Sequence, residues 1–401
     1  MIQRPIYLQQ LIAHREQKII KVVTGVRRCG KSTLFELYQH YLRSTGVDDD
    51  QIVAINLEDL ENDALLDDKS LYRHVRERLC KNRYTYVFID EIQQCESFEK
   101  AVDSLFIRDR VDVYITGSNA HMLSGELATL LSGRYITIEM LPLSFGEYMG
   151  LHASDQKPLA QYFNAYLTLG SFPHVAMLEQ TTVMVRPYVE GIYNTILIKD
   201  VAMRQGIKDI SILESIVKIL ASGIGSPIST KKIADTLSSA GRSISANTVD
   251  NYVRALTDSF IYYRVDRYDI KGRQHLKTLG KYYIVDTGIR QLLLAQGSTD
   301  MGHLIENIVY LELRRRYTRI HVGKLGPQEV DFIVEGPSGY AYFQVAATVL
   351  HEDTLQHELD PLRKIDDNYP KTLITLDEIG SGSDHQGIRQ VNLITWLLEQ
   401  S

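Results

Sequence analysis

The chain has 401 residues, 44% of them apolar, and a formal net charge of −6 from 44 basic and 50 acidic side chains. That much apolar material excludes a disordered chain and supports two to four domains, while the acidic balance excludes a global field drawing the protein to nucleic acid. Three cysteines, Cys29, Cys80 and Cys95, show no metal-ligand spacing and exclude a disulfide framework.

No apolar stretch approaches the roughly 20 residues of a membrane span, and the opening segment MIQRPIYLQQ lacks the apolar core of a secretory signal. The expectation is a cytoplasmic protein with no membrane partner. Residues 5–14 carry Ile6, Leu8, Leu11 and Ile12, an apolar set that suits either an adenine ring or ordinary core packing.

The apolar run Ile19, Ile20, Val22, Val23 predicts a strand, and residues 33–41 predict a helix. Between them Gly25, Gly30, Lys31 and Ser32 stand at the spacing G-x-x-x-x-G-K-[ST]. Strand, glycine-rich loop and helix in that order form a phosphate cradle. Gly25, Val26, Arg27, Arg28, Cys29, Gly30, Lys31, Ser32 and Thr33 line it with backbone N–H groups, Lys31 reaches the terminal phosphates, and the Ser32 hydroxyl ligates magnesium. Cys29 reads as a small loop-filling residue.

Residues 51–59 predict a second strand, and residues 70–80 a helix. YTYVFIDE, residues 84–91, predicts a buried parallel strand that delivers Asp90 and Glu91 to the rim of the phosphate loop. There Asp90 holds magnesium through water and Glu91 polarises the attacking water. DVYITGSN, residues 112–119, predicts a further strand whose Ser118 or Asn119 contacts the terminal phosphate or the lytic water. The alternative is a capped turn into a helix around residues 121–131. Arg134 opens the apparent strand 135–140 and is placed either as an arginine finger at a subunit contact or in a surface salt bridge.

GVRRCGKST, YVFIDEIQQ, ITGSN and LSGRYITIEMLPLSFGEY together resemble the AAA+ ATPases of bacteria and archaea that carry a C-terminal region of unknown function. YLTLGSFP, around Tyr166, and KYYIVDTGIR, from Lys281, extend that resemblance over essentially the whole chain. It implies a parallel sheet with loop, acidic pair and sensor on neighbouring strands, ATP and Mg2+ as cofactors, and room for activation in a homo-oligomer. Adenine over guanine rests on this resemblance, since no N-K-x-D pattern contradicts it.

Residues 151–225 predict a helical lid or connector, in which Arg186 and Arg204 are equal candidates for a phosphate-sensing arginine. Between residues 229 and 269, Ser229 caps a helix bearing Ile233 and Leu237, and Ser245 precedes one bearing Val249, Tyr252, Val253 and Leu256. With IYYRVDRYD and KYYIVD as a two-stranded wing, this predicts a winged helix. Asn247, Thr248, Asn251 and Arg254 are its candidate DNA contacts, opposed by Asp250 and Asp258.

Residues 301–401 hold 15 Asp and Glu against 9 Lys and Arg, so the net acidity collects there. Glu306 lies in a helical stretch ending in Arg314, Arg315 and Arg316, which form either a phosphate-contacting strip or a solvated face. Residues 328–346 then read as a hairpin with Asp331 on its first strand. This resembles restriction-endonuclease-like domains, whose pattern ends in [DE]-x-K; here Gln344, Val345 and Ala346 stand instead. Glu329 or Glu335 is a substitute carboxylate in principle. Without the second carboxylate and the lysine, nuclease activity is not expected.

The sequence thus predicts an α/β P-loop NTPase of AAA+ type at 1–150, a helical connector at 151–225, a winged helix at 226–295 and a degenerate, non-catalytic nuclease-like domain at 296–401. The expected activity is magnesium-dependent ATP hydrolysis driving a switch in the C-terminal domains, with Glu91, Lys31, Asn119 and Arg134 catalytic and Ser32 and Asp90 on the metal. Double-stranded DNA is one expected partner; the alternatives are a protein partner or a non-hydrolysing nucleotide-binding scaffold.

Overall fold

The protein is described from a computed structural model covering residues 2–119, 131, 133–153, 157–294 and 300–399. The helix expected around 121–131 lies, Leu131 apart, outside the described residues. The chain forms two compact units, Met1–Pro142 with Asp258–Phe260, and Leu143–Thr257 with Ile261–Ser401.

The first unit runs α1 (Pro5–Ala13), β1 (Ile20–Thr24), α2 (Lys31–Ser44), β2 (Ile52–Asn56), α3 (Asp68–Arg76), β3 (Thr85–Asp90), α4 (Phe98–Phe106), β4 (Val111–Gly117) and β5 (Tyr135–Glu139). Its strands form one sheet in the order β2-β3-β4-β1-β5, every neighbouring pair parallel. β1, β3 and β4 are buried along their whole length, which is why their sequences read as nearly unbroken apolar runs rather than alternating ones. Val87, Ile89, Val113 and Ile115 pack with Leu71 and Val75 of α3 and Val102 and Leu105 of α4. Alternate residues Phe88 and Tyr114 stack at 4.8 Å, and Phe35 and Tyr38 of α2 meet Phe88 edge-on. Leu34, Leu37, Tyr38 and Leu42 form the buried stripe of α2 at helical spacing. Leu11 of α1 is fully buried while Ile6, Leu8 and Ile12 are half-buried.

The second unit opens with α5 (Phe145–Leu151), α6 (Leu159–Leu169), α7 (Pro173–Met177), α8 (Thr182–Thr195), a π-helical turn at Ile196–Met203 and α9 (Ile210–Ser222). α10 (Thr230–Ser239) and α11 (Ala246–Asp258) follow, with Ser229 accepting from the Lys232 N–H at 3.1 Å and Ser245 from that of Thr248 at 3.1 Å. Ile233, Leu237, Val249, Val253 and Leu256 are buried, while Asn247, Asp250, Asn251 and Arg254 are exposed. β6 (Tyr262–Asp269) and β7 (Gln274–Ile284) form an antiparallel hairpin. Next come α12 (Thr287–Leu293), α13 (Met301–Arg316), β8 (Arg319–Leu325), β9 (Gln328–Gly336), β10 (Gly339–Ala346), α14 (Glu352–Arg363), β11 (Lys371–Thr375), β12 (Ile388–Asn392) and α15 (Leu393–Leu398).

The structure departs from the sequence reading at the boundary drawn between 295 and 296. The hairpin expected as a separate wing is the edge of a seven-stranded sheet, β12-β11-β10-β9-β8-β6-β7. β6 pairs in parallel with β8 through Arg267–Val322, Tyr268–Gly323 and Asp269–Lys324, a non-local pairing that local periodicity does not encode. Arg315 and Arg316 also differ from both expectations. Arg315 and Arg316 each bind Glu312, and the Arg316 guanidinium lies 4.4 Å from the centre of the Trp396 ring. With its side chain 2% exposed, Arg315 is neither a solvated face nor a phosphate strip.

Two sequence motifs with no evident task meet in this unit. Asp286, at the N-terminus of α12, accepts from the Ser171 N–H at 2.6 Å, the Ser171 hydroxyl at 2.8 Å and the Ile289 N–H at 3.1 Å. Gly170 must be glycine there, because its φ is +99° and a Cβ would lie 2.4 Å from Asp286 Oδ1.

Candidate phosphate-binding site

Parallel strands place every loop that follows them on one rim. β1 pairs Val23 with Thr116, and the β3–β4 register aligns Ile89 with Ile115. Asp90, Thr116 and the start of the phosphate loop therefore stand side by side. Gly25 leaves β1 at φ +145°, and a Cβ there would approach Met140 O to 2.1 Å. No other residue fits so close to the next strand's backbone. Gly30 adopts the left-handed conformation before α2, which begins at Lys31 with no side-chain cap, leaving its first N–H groups to the loop.

Ser32 Oγ donates to Asp90 Oδ2 at 2.5 Å. The Thr116 hydroxyl donates to the other Asp90 oxygen and accepts from the Glu91 N–H at 2.9 Å, so one residue of β4 fixes both acids. Glu91 itself has φ 52°, ψ 49°, a left-handed conformation uncommon outside glycine. Its carboxylate accepts from the Gln93 amide, which also reaches the Ser118 hydroxyl at 3.4 Å. Lys31 Nζ donates to the Gly25 and Val26 carbonyls at 3.1 and 3.3 Å and lies 3.9 Å from Glu91 Oε1.

The remaining expected residues fall as follows. Val26 and Cys29 are buried, Arg27 pairs with Glu58 at 2.8 Å, Arg28 is exposed with φ +67°, Ser32 is exposed and Thr33 half-buried. Burial pushes the Cys29 thiol above its ordinary value, making it a poor nucleophile and a loop-filling residue. Asn119 is buried beside Ser118 at the end of β4. Arg134 is exposed, its guanidinium 5.6 Å from the Phe106 ring centre, and its carbonyl accepts from the Ile20 N–H at 2.9 Å. That bond puts Arg134 at the opposite rim of the sheet, about 16 Å along β1 from the phosphate loop. It cannot serve the site of its own chain.

Sequence reasoning missed three members of this rim. Thr116 and Gln93 sit inside motifs quoted for their neighbours, and a buried hydroxyl before two small residues was the available signal. Arg4 carried none. Its guanidinium donates to the Cys29 carbonyl at 2.9 Å and to the Leu141 carbonyl at 2.6 Å, while the Leu141 N–H donates to the Tyr7 hydroxyl at 3.1 Å. The segment before β1 thus holds the loop from behind.

The donor set fits a magnesium nucleotide. Mg2+ takes one or two protein oxygens plus phosphates and water; the Ser32 hydroxyl would be such an oxygen, and Asp90, hydrogen-bonded to it, would hold the ion through water. Among the described residues no helix is long and apolar enough to cross a membrane.

Comparison with known proteins finds two family models and two curated relatives. Residues 17–149 match a family model described as an AAA domain, and residues 160–300 match a domain of unknown function, DUF8612. An uncharacterized protein of Haemophilus influenzae is 38% identical over 404 residues, covering 100% of this chain and 99% of the relative. An uncharacterized protein of Methanocaldococcus jannaschii, MJ1544, is 30% identical over 340 residues, covering 79% and 72%. Among solved structures, the Walker-type ATPase PABY2304 of Pyrococcus abyssi superposes with a TM-score of 0.47 at 14% identity, covering 73% of this chain and 96% of that one. The parallel sheet and the AAA-domain match together give a P-loop AAA+ fold, followed by α/β structure.

Proposed function

The chain belongs to one family with its uncharacterized Haemophilus influenzae relative, and from the AAA-domain match at residues 17–149 we propose that its first unit binds and hydrolyses magnesium ATP. The observation that carries the reading is the 2.5 Å contact between Ser32 and Asp90, which brings the two metal-positioning groups together at the N-terminus of α2. The bound metal would neutralise charge on the β and γ phosphates. Backbone N–H groups from Gly25 to Thr33 bind the phosphate chain, and Lys31 turns from the Gly25 and Val26 carbonyls to the terminal phosphate. Glu91, positioned by Thr116 and Gln93, orients water and accepts its proton. Asn119 contacts the terminal phosphate, and Arg134, at the far rim, completes the site of a neighbouring copy as a finger.

The second unit reads out the nucleotide state. Its exposed Asn247, Asn251 and Arg254 on α11 support a winged-helix contact with duplex DNA, and the exposed Asp250 among them favours a protein partner instead. ATP turnover measured with and without duplex DNA across a salt series separates the two. Turnover raised by DNA and lost steeply with salt supports DNA, because phosphate contacts release counterions. Turnover indifferent to DNA supports the protein partner.

A further inference from the structure

The acidic positions expected in the nuclease-like core are present, but a lysine from another strand stands among them. Lys281 Nζ, on β7, lies 2.6 Å from Glu329 Oε1, 3.0 Å from Glu306 Oε1 and 3.7 Å from Asp331 Oδ1. Glu306 comes from α13, and Glu329 and Asp331 come from β9. Lys281 is 2% exposed, Glu306 7% and Asp331 9%. An ammonium has three donors and no acceptor, and here three carboxyl groups face it. Glu335, the other substitute carboxylate, instead pairs with Arg319 at the surface.

The surroundings hold this arrangement rather than leaving room for exchange. The Tyr283 hydroxyl donates to the same Glu306 oxygen at 2.7 Å. Asp331 Oδ2 accepts from the Val345 N–H at 2.9 Å. Gln344, where the pattern calls for a carboxylate, accepts from the Asp331 N–H at 3.3 Å and donates to Glu358 at 2.9 Å. β7 itself is pinned just beyond the lysine, where Asn307 exchanges hydrogen bonds of 2.8 and 2.9 Å with the Ile284 backbone. Among the described residues no group of three His, Cys, Asp or Glu is arranged to hold a metal ion.

A divalent cation binds carboxylate oxygens at about 2.0–2.6 Å. Nζ stands 3.0 Å from Glu306 Oε1 and 2.6 Å from Glu329 Oε1, so an ion reaching both oxygens competes with the ammonium for the space between them. We propose that Lys281 is the resident cation of this acidic centre, holding Glu306, Glu329 and Asp331 in the place a divalent metal would take and closing the centre to metal-dependent phosphodiester chemistry. Burial beside Glu306 pushes the Asp331 carboxyl well above its usual range, in keeping with three acids sharing one ammonium. The second unit is on this account a metal-independent module, and Mg2+ acts in the first unit alone.

The test is a Mn2+ titration of the full-length, nucleotide-free chain, following free Mn2+ by electron paramagnetic resonance, in an Asp90→Asn background that silences the phosphate loop. The chain with Lys281 intact binds no Mn2+ that Glu329→Gln removes. Lys281→Met gains one Mn2+ per chain, lost again on adding Asp331→Asn, and Mn2+ raises its thermal midpoint by several degrees. Mn2+ bound by the Lys281 chain and lost with Glu329→Gln would overturn the proposal, as would a folded Lys281→Met chain that gains no site. The first arm needs no lysine variant, so it decides the matter even where Lys281→Met fails to fold.

Discussion

Ser32 Oγ and Asp90 Oδ2 lie 2.5 Å apart, joining the first turn of α2 to the last residue of β3. Thr116 holds the other Asp90 oxygen, so the carboxylate is oriented from both sides before any ligand arrives. Asp90→Asn keeps the size and loses the charge. Turnover should fall by about 10²-fold or more, with ATP affinity measured without magnesium little changed. Equal turnover across a magnesium titration would remove Asp90 from the metal site.

Arg4 is 2% exposed and bridges two backbone carbonyls, one in the phosphate loop and one beyond β5. Arg4→Ala leaves both carbonyls buried without that donor, a cost of about 2–4 kcal/mol. Chemical denaturation should show the loss, accompanied by weaker nucleotide binding. Arg4→Lys should restore only part of it, because one ammonium does not match the planar fork spanning Cys29 and Leu141.

How much of this was legible follows from how local each feature is. The phosphate loop, Asp90 and Glu91 were readable because each is a short motif at the end of an apolar run, and a parallel sheet puts such ends on one rim. Arg4 was not, since its partners are 25 and 137 residues away and a lone arginine has no pattern. The acidic core was half legible. Glu306 and Asp331 could be picked out, and Glu329 weighed, yet no local pattern tied them to Lys281, which reaches them from β7. The same long-range pairing, β6 with β8, made one sheet of what the sequence divided at 295.

Burial beside Glu306 pushes the Asp331 carboxyl up from 3.8 to about 8. The folded chain therefore keeps a proton that the unfolded chain releases near pH 4, and the native state binds more protons between those values. The contribution of Asp331 to stability should fall as pH rises from about 4 to about 8 and level off beyond. Burial pulls Lys281 down, but its three acids together raise it, so it stays charged throughout that window. Thermal midpoints of the second unit's transition across pH check this, with Asp331→Asn giving the flatter profile; identical profiles would contradict it.

Arg134 lies at the rim opposite its own phosphate loop, so any finger role must be exercised in a neighbour. Arg134→Ala and Lys31→Ala should each be nearly inactive alone, the first still binding ATP. Mixed, they should regain part of the turnover, since some contacts then pair an intact loop with an intact arginine. No recovery in a mixture shown to co-assemble would return Arg134 to its Phe106 contact as a surface residue.

The most direct measurement compares ATP binding and ATP turnover in the wild-type chain, Glu91→Gln and Lys31→Ala under one set of conditions. Glu91→Gln should bind ATP as the wild type does and lose turnover by about 10²–10⁴-fold, while Lys31→Ala should lose affinity. A Glu91→Gln chain that hydrolyses ATP undiminished would contradict the assignment of this rim as the catalytic site.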